Sequence, residues 1–292
     1  MDVKGNNMSE HEHDNIRKNV RGRYAEIAKT KGCCGVSCCS SSPANGADAS
    51  AKLGYSAKDM QAVPDGSNMG LGCGNPHVIA NLKEGEVVLD LGSGGGFDCF
   101  LAARKVGDNG KIIGIDMTPE MLSKARENAV KGNYENVEFR LGEIEYLPVA
   151  DNSVDVIISN CVINLSPDKK QVFREACRVL KHGGRLAVSD VVAVKKLPDQ
   201  IKKDLAAYAG CVAGAALVSD VKTMLSEAGF SGVRVEINEA SREFIKDWFP
   251  GSGIESYVVS AKIEAVKGEA SRNPATCPPK LSERRRKPRP PL

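Results

Sequence analysis

The sequence predicts an α/β fold, a mostly parallel sheet with helices on both faces. Three observations predict it. Short apolar runs alternate with segments of helical spacing from Glu86 onward. The first run leads through Asp90-Leu-Gly92-Ser-Gly94-Gly-Gly96-Phe, a glycine loop between strand and helix. The second run ends in an acid, Asp116, twenty residues after Gly96. Apolar runs of this kind are strands buried on both faces. In such sheets ligands bind outside the carboxyl ends of the strands.

The elements follow in order. Asn15 to Ala28 is compatible with a helix. It precedes Cys33-Cys34-Gly-Val-Ser-Cys38-Cys39 and a Ser/Ala/Gly-rich link, a composition too poor in apolar residues for a core of its own. Val87 to Leu91 is the first strand and Phe97 to Val106 the first core helix. Lys111 to Asp116 is a strand, and Thr118-Pro-Glu120 opens a helix with a cap and a proline at its first position. Val137 to Leu141, Val154 to Ser159 and Gly184 to Asp190 are strands. A helix from Asp168 to Leu180 carries Val172, Phe173, Ala176 and Val179 on one face. Val218 to Ala228 is a helix stopped by Gly229, and Val233 to Ile237 and Tyr257 to Ala265 are the last strands.

Composition excludes several classes of function. The chain has 292 residues, 41% hydrophobic and 26% charged, as expected of a globular protein. Met1 to His13 is too polar for a secretory leader, and Leu205 to Val218 is too short to span a bilayer. The total charge of +3 is misleading. Residues 267–292 hold eight Lys or Arg against two acids, which leaves that tail at +6 and the rest at −3. A mildly acidic body offers no nucleic-acid footprint. The tail, with six of the 14 prolines, reads as disordered. Ten cysteines in such a chain point to reduced thiols for metal, metalloid or redox work in the cytoplasm.

The glycine loop and Asp116 together bind an adenosine-like ligand, with the acid placed for ribose hydroxyls. Asp90 and Asp98 flank the loop. Acids there repel a pyrophosphate and suit a cation, which favours S-adenosylmethionine over a nicotinamide dinucleotide. The arrangement resembles the class I methyltransferases over residues 85–190. The resemblance implies a Rossmann-like, seven-stranded sheet whose last strand is antiparallel. It also implies that Met117 flanks the ribose and the Gly142-Glu143-Ile144 turn borders the adenine. Asn160, at the end of the fourth strand, joins this cofactor-binding set.

Three cysteines stand apart: Gly-Leu-Gly-Cys73-Gly-Asn-Pro, Ile-Ser-Asn-Cys161-Val-Ile-Asn-Leu and Ala-Gly-Cys211-Val-Ala-Gly. Cys161 follows the fourth strand and Cys211 the fifth, both on the ligand edge of the sheet. Cys73 sits between glycines that let the backbone turn tightly. Cys99 and Cys177 lie on helices as fillers, and Cys277 lies in the tail. The Cys33, Cys34, Cys38 and Cys39 cluster suits capture of a soft ion or thiol exchange, with zinc as the alternative.

Taken together, these contexts resemble the arsenite S-adenosylmethionine methyltransferases from Val20 to Lys267. The resemblance implies As(III) held by Cys73, Cys161 and Cys211, the residues on which catalysis rests. An N-terminal cysteine then relays, or forms a disulfide with Cys73. Gly210 stands where some relatives carry a glutamate, so no carboxylate role is expected there. Thiolates are soft ligands, and arsenic on three of them keeps the lone pair that accepts a methyl group without a general base. Thiolate binding weakens at low pH. A glutathione or thioredoxin-like reductant is expected, with arsenite or methylarsenite as substrate and a monomer as the working form. The expected division is a Cys-rich segment and lid (1–70), a cofactor-binding core (71–190), a part completing the sheet and arsenic site (191–266), and the tail (267–292). A methyltransferase of a small organic molecule and a non-catalytic metalloid-binding protein are the alternatives.

Overall fold

The computed structural model describes residues 9–29, 50–202 and 204–268. Helix α1 (Glu10–Lys29) opens the chain. The core then runs β1 (Val87–Leu91), α2 (Phe97–Val106), β2 (Lys111–Asp116), α3 (Pro119–Lys131), β3 (Val137–Leu141), β4 (Val154–Asn160), α4 (Lys169–Val179) and β5 (Leu180–Ala193). Helices α5 (Leu205–Ala209) and α6 (Val218–Glu227) precede β6 (Phe230–Asn238) and β7 (Val258–Lys267). One seven-stranded sheet has the order β3-β2-β1-β4-β5-β7-β6. All neighbours are parallel up to β5, and β7 runs antiparallel to both β5 and β6.

The expected α/β class and the antiparallel late strand are both present. Strands β1 and β4 pair side by side, Leu91 opposite Ser159, although the chain has gone out to β3 and back between them. This is the topological switch point, where the loops after adjacent strands diverge and leave a crevice. The glycine loop leaves β1 there, and Cys161 leaves β4 there.

Several elements are longer than their sequence pattern suggests, β6 (Phe230–Asn238) among them, and in α1 and β5 the cause is plain. Helix α1 begins at Glu10 because Ser9 and Glu12 form a reciprocal cap: the Ser9 amide donates to the Glu12 carboxylate at 2.6 Å, and the Glu12 amide donates to the Ser9 hydroxyl at 3.3 Å. It buries Ile16, Val20 and Ala25 against the core side, packing on α3 and α5. Strand β5 continues to Ala193 because β7 pairs with it to the end, Ala193 opposite Val258. Thr118 is the N-cap of α3 by position but makes no cap bond; its hydroxyl goes to Asp116 instead.

Beneath the glycine loop the packing is tight. A Cβ on Gly114 of β2 would lie 2.7 Å from the Phe139 ring and 2.9 Å from the Ser93 side chain. One on Gly96 would meet Phe100 at 2.6 Å. Phe100 and Phe139 meet edge to face with ring centres 6.0 Å apart. The absence of two side chains thus lets an aromatic layer support the loop. Among the described residues no helix is long and apolar enough to cross a membrane. The Cys33, Cys34, Cys38 and Cys39 cluster, Cys277 and most of the basic tail lie outside the described residues.

Gly114→Val overpacks this layer and is expected to lower stability by about 1–3 kcal/mol. Urea unfolding should show a lower midpoint with an unchanged slope.

Candidate active site

A cleft opens at the carboxyl ends of β1, β2 and β4. Gly92 and Gly94, with φ of 72° and 50°, carry the loop along one wall. A Cβ on Gly92 would lie 2.1 Å from Val162, so the loop and the segment after β4 approach as closely as backbone allows. A Cβ on Gly94 would meet nothing within 4 Å and would project into open space. Asp116 closes the far wall. Its carboxylate accepts from the Gly94 amide at 3.0 Å and the Thr118 amide at 2.8 Å. Burial nevertheless pushes its pKa up, because these donors only partly replace water.

The cleft has the donor set of a polar ligand. Asn68 Nδ2 and Ser93 Oγ line it, are buried, and have no hydrogen-bond partner among the described residues. Buried donors are normally satisfied, so these two fit a polar molecule such as an adenosyl group. Met117, Ile144 and Asn160 also line the cleft, as does Asp90. Burial pushes the Asp90 carboxyl well up, with the Asp98 charge adding to it. Gly96 does not reach the cleft; it caps α2 behind the loop. Glu143 does not line it either; its neighbour Glu145 does. Both carboxylates face Arg17 of α1, at 3.4 Å and 3.5 Å from its Nε.

Asn160 lines the cleft, yet its amide is engaged by the chain itself. Its Oδ1 accepts from the Cys73 amide at 3.0 Å. Its Nδ2 donates to the Gly74 carbonyl at 2.9 Å, and it lies 3.1 Å from the Tyr55 hydroxyl and 3.3 Å from Asp98. Tyr55 in turn donates to Asp98 at 2.6 Å. Gly72 must be glycine for this contact, since a Cβ would lie 2.5 Å from the Asn160 amide. The Cys73 loop is thereby strapped across the ends of β4 and β5.

All three separated cysteines are buried in one region. Cys73 and Cys161 are joined by a disulfide, with Cα atoms 5.8 Å apart. This corrects the expectation of reduced thiols throughout. Cys73 pairs with Cys161 because the Asn160 strap brings its loop against the residue that follows Asn160. The N-terminal cysteines expected to pair with it lie outside the described residues. The Cys211 thiol donates to the Cys161 carbonyl at 2.9 Å. Cys161 and Cys211 both adopt left-handed backbone, φ 57° and 63°. Among the described residues the other positive-φ positions besides glycine are asparagines, which enter that region more readily than cysteine.

The sequence pattern missed what surrounds these turns. Asp190, three residues before the end of β5, groups with Cys73 and Cys161, their ligand atoms within 4.8 Å of one another. Its carboxylate accepts from the Ile163 amide at 3.0 Å, the Asn164 amide at 3.3 Å and the Asn164 side chain at 2.9 Å. Burial still lifts its pKa to about 6. Asn164 also donates to the Val191 and Cys211 carbonyls, joining the segment after β4 to both β5 and the Cys211 turn. Lys169 is half-buried, donates to the Ser166 carbonyl at 2.8 Å and has its pKa lowered to about 8 by desolvation. Asp190 shares with Asp116 the signal of an acid ending an expected strand; Asn164 and Lys169 carry no sequence signal. Cys99 is more than a filler, since its thiol donates to Asp90 at 3.2 Å. Cys177 sits in the core.

The description "Methyltransferase domain" fits a family match over residues 82–229, about half the chain. The arsenite methyltransferase of Halobacterium salinarum is 53% identical over 270 residues, which is 89% of this chain and 68% of that protein. That of Mus musculus is 36% identical over 234 residues, 76% of this chain and 60% of the other. The crystal structure of an arsenic(III) S-adenosylmethionine methyltransferase from Chlamydomonas reinhardtii superposes with a TM-score of 0.57 at 33% identity. It covers 76% of this chain and 73% of that one.

Burial, then the Asp190 charge, raises the Cys211 pKa, while Tyr24, Lys169 and Arg23 lower it. Lys169→Met removes one of the lowering charges. The pH profile of iodoacetamide labelling at Cys211, read by mass spectrometry, is expected to move to higher pH.

Proposed function

This chain belongs to the arsenite methyltransferase family, and from that premise we propose that Cys73, Cys161 and Cys211 gather trivalent arsenic for methylation by S-adenosylmethionine. The observation that carries the assignment of these residues is the pair of left-handed turns at Cys161 and Cys211. A non-glycine residue in that conformation costs about 1–2 kcal/mol. Two cysteines held so at the ligand edge of one sheet, beside a third, support a binding role over core filling.

S-adenosylmethionine supplies an electrophilic methyl group on a sulfonium sulfur. Asp116 and the Gly92–Gly94 wall orient the adenosyl part, and the acids near the loop suit its cationic end. Each cysteine thiol exchanges for an arsenite hydroxyl, its proton leaving in the water released. Arsenic on three sulfurs is pyramidal and retains its lone pair toward the cleft. The protein's contribution is positioning, which can lower a bimolecular barrier by up to roughly 7–11 kcal/mol. Asp190 and Asn164 brace the turns that carry the sulfurs.

The disulfide must open before arsenic binds to both Cys73 and Cys161. A thiol reductant such as glutathione or a thioredoxin-like protein supplies the two electrons. That requirement fits a reducing compartment, so the full reading is a monomeric cytoplasmic enzyme of arsenite detoxification. The N-terminal Cys33, Cys34, Cys38 and Cys39 relay thiols to this centre.

Incubating the protein with arsenite, S-adenosylmethionine and a thiol, then speciating arsenic, is expected to yield methylated arsenic. Cys161→Ser and Cys211→Ser are expected to lose it almost wholly while retaining S-adenosylmethionine binding. Undiminished methylation by Cys161→Ser would overturn the ligand assignment.

A further inference from the structure

The disulfide lies between two cavities. Cys161 lines the cleft described above and Cys73 does not; Cys73 lines a second cavity of about 400 Å³, and Cys161 does not. The second cavity lies beside the antiparallel end of the sheet. It is bordered by Lys52, Glu236, Asn238 and Lys262, with Ser189 and Ser260 deeper in. Ser189 is 1% exposed, and its hydroxyl has no hydrogen-bond partner among the described residues. Glu236 and Lys262 face each other across β6 and β7, and Lys52 adds a second cation.

We propose that this second cavity is the docking site of a low-molecular-weight thiol bearing carboxylate and ammonium groups, which opens the disulfide by attack at Cys73. The proposal rests on the reading that a thiol must reduce the centre, and it adds the direction and the kind of thiol. The volume suits a small molecule. The two lysines and the glutamate suit a zwitterion, and the unpartnered Ser189 hydroxyl suits its polar backbone. Cys73 is 1% exposed and borders this cavity, so a small thiol seated in the cavity comes closer to it than a cysteine on the surface of a folded reductant. A methyl donor in the main cleft covers the Cys161 side and leaves the Cys73 side free.

The step balances as ordinary exchange. The thiol loses its proton, and its sulfur bonds to Cys73 Sγ as the Cys73–Cys161 bond breaks. Cys161 leaves as thiolate and takes up a proton. A second thiol attacks the mixed disulfide on its own sulfur, releasing the Cys73 thiol. Two thiols become one disulfide, and two electrons and two protons reach the cysteine pair.

The test uses the full-length oxidised protein with glutathione, quenched by acid, alkylated and mapped by mass spectrometry. The expected first adduct is on Cys73, with Cys161 alkylated, at a rate unchanged by saturating S-adenosylhomocysteine. Lys52→Glu with Lys262→Glu should slow glutathione by about tenfold or more while leaving 2-mercaptoethanol unaffected. Asn238→Trp should slow both thiols, with calorimetric binding of S-adenosylhomocysteine as the folding control. A first adduct on Cys161 or on an N-terminal cysteine overturns the proposal. So does protection by S-adenosylhomocysteine, or reduction by thioredoxin but not by glutathione. These readouts do not depend on arsenic, so they stand or fall separately from methylation.

Discussion

The Asn160 side chain is the contact on which the site depends. It ends β4 at the switch point of the sheet and engages the Cys73 loop through both ends of its amide. Without it, the loop before β1 would cross β4 and β5 held by the disulfide and by the Ser260 hydroxyl on the Cys73 carbonyl. The Cys73 amide and Gly74 carbonyl would each lose a partner, at about 1–3 kcal/mol per buried unsatisfied group. The same side chain sits beside Tyr55 and Asp98, so the loop is coupled to the start of α2 and to the main cleft. One residue therefore links the position of a sulfur to the wall of that cleft.

Around the cysteines the protein concentrates charge where water is scarce. Asp190 and Lys169 both act on Cys211 and Glu145 acts on Lys169, and the Asp190 carboxylate and Lys169 ammonium are both shifted toward their neutral forms by burial. Between about pH 6 and pH 8 both remain charged and attract each other. That attraction, and the four donors around Asp190, offset part of the desolvation cost. The result is a rigid frame in which two cysteines keep left-handed backbone. A looser frame would let those turns relax.

The core strands were legible because burial on both faces leaves apolar runs with sharp ends. β1, β2 and β3 match their expected limits to the residue, and α2 does as well. Errors fall where another element decides the length: β5 extends because β7 pairs with it, and α1 because Ser9 and Glu12 cap it. In the site, Asp116 was legible as an acid ending a strand beside a glycine loop. Gly96 belongs to the same motif, yet it supports packing behind the loop and does not line the cleft. Asn164 and Lys169 were not legible, since a polar residue in a short helical segment gives no hint of which buried groups it meets.

The sequence by itself determined the fold class and the glycine loop with the acid that follows it, because these rest on local periodicity, spacing and residue type. Only the tertiary structure decided which sulfurs meet. Cys73 and Cys161 are 88 residues apart in sequence. Their pairing depends on a loop folded across strands by a side-chain amide, an interaction between distant segments that no local pattern encodes. The division of the two cysteines between separate cavities has the same origin, since a cavity exists only once the elements around it have packed.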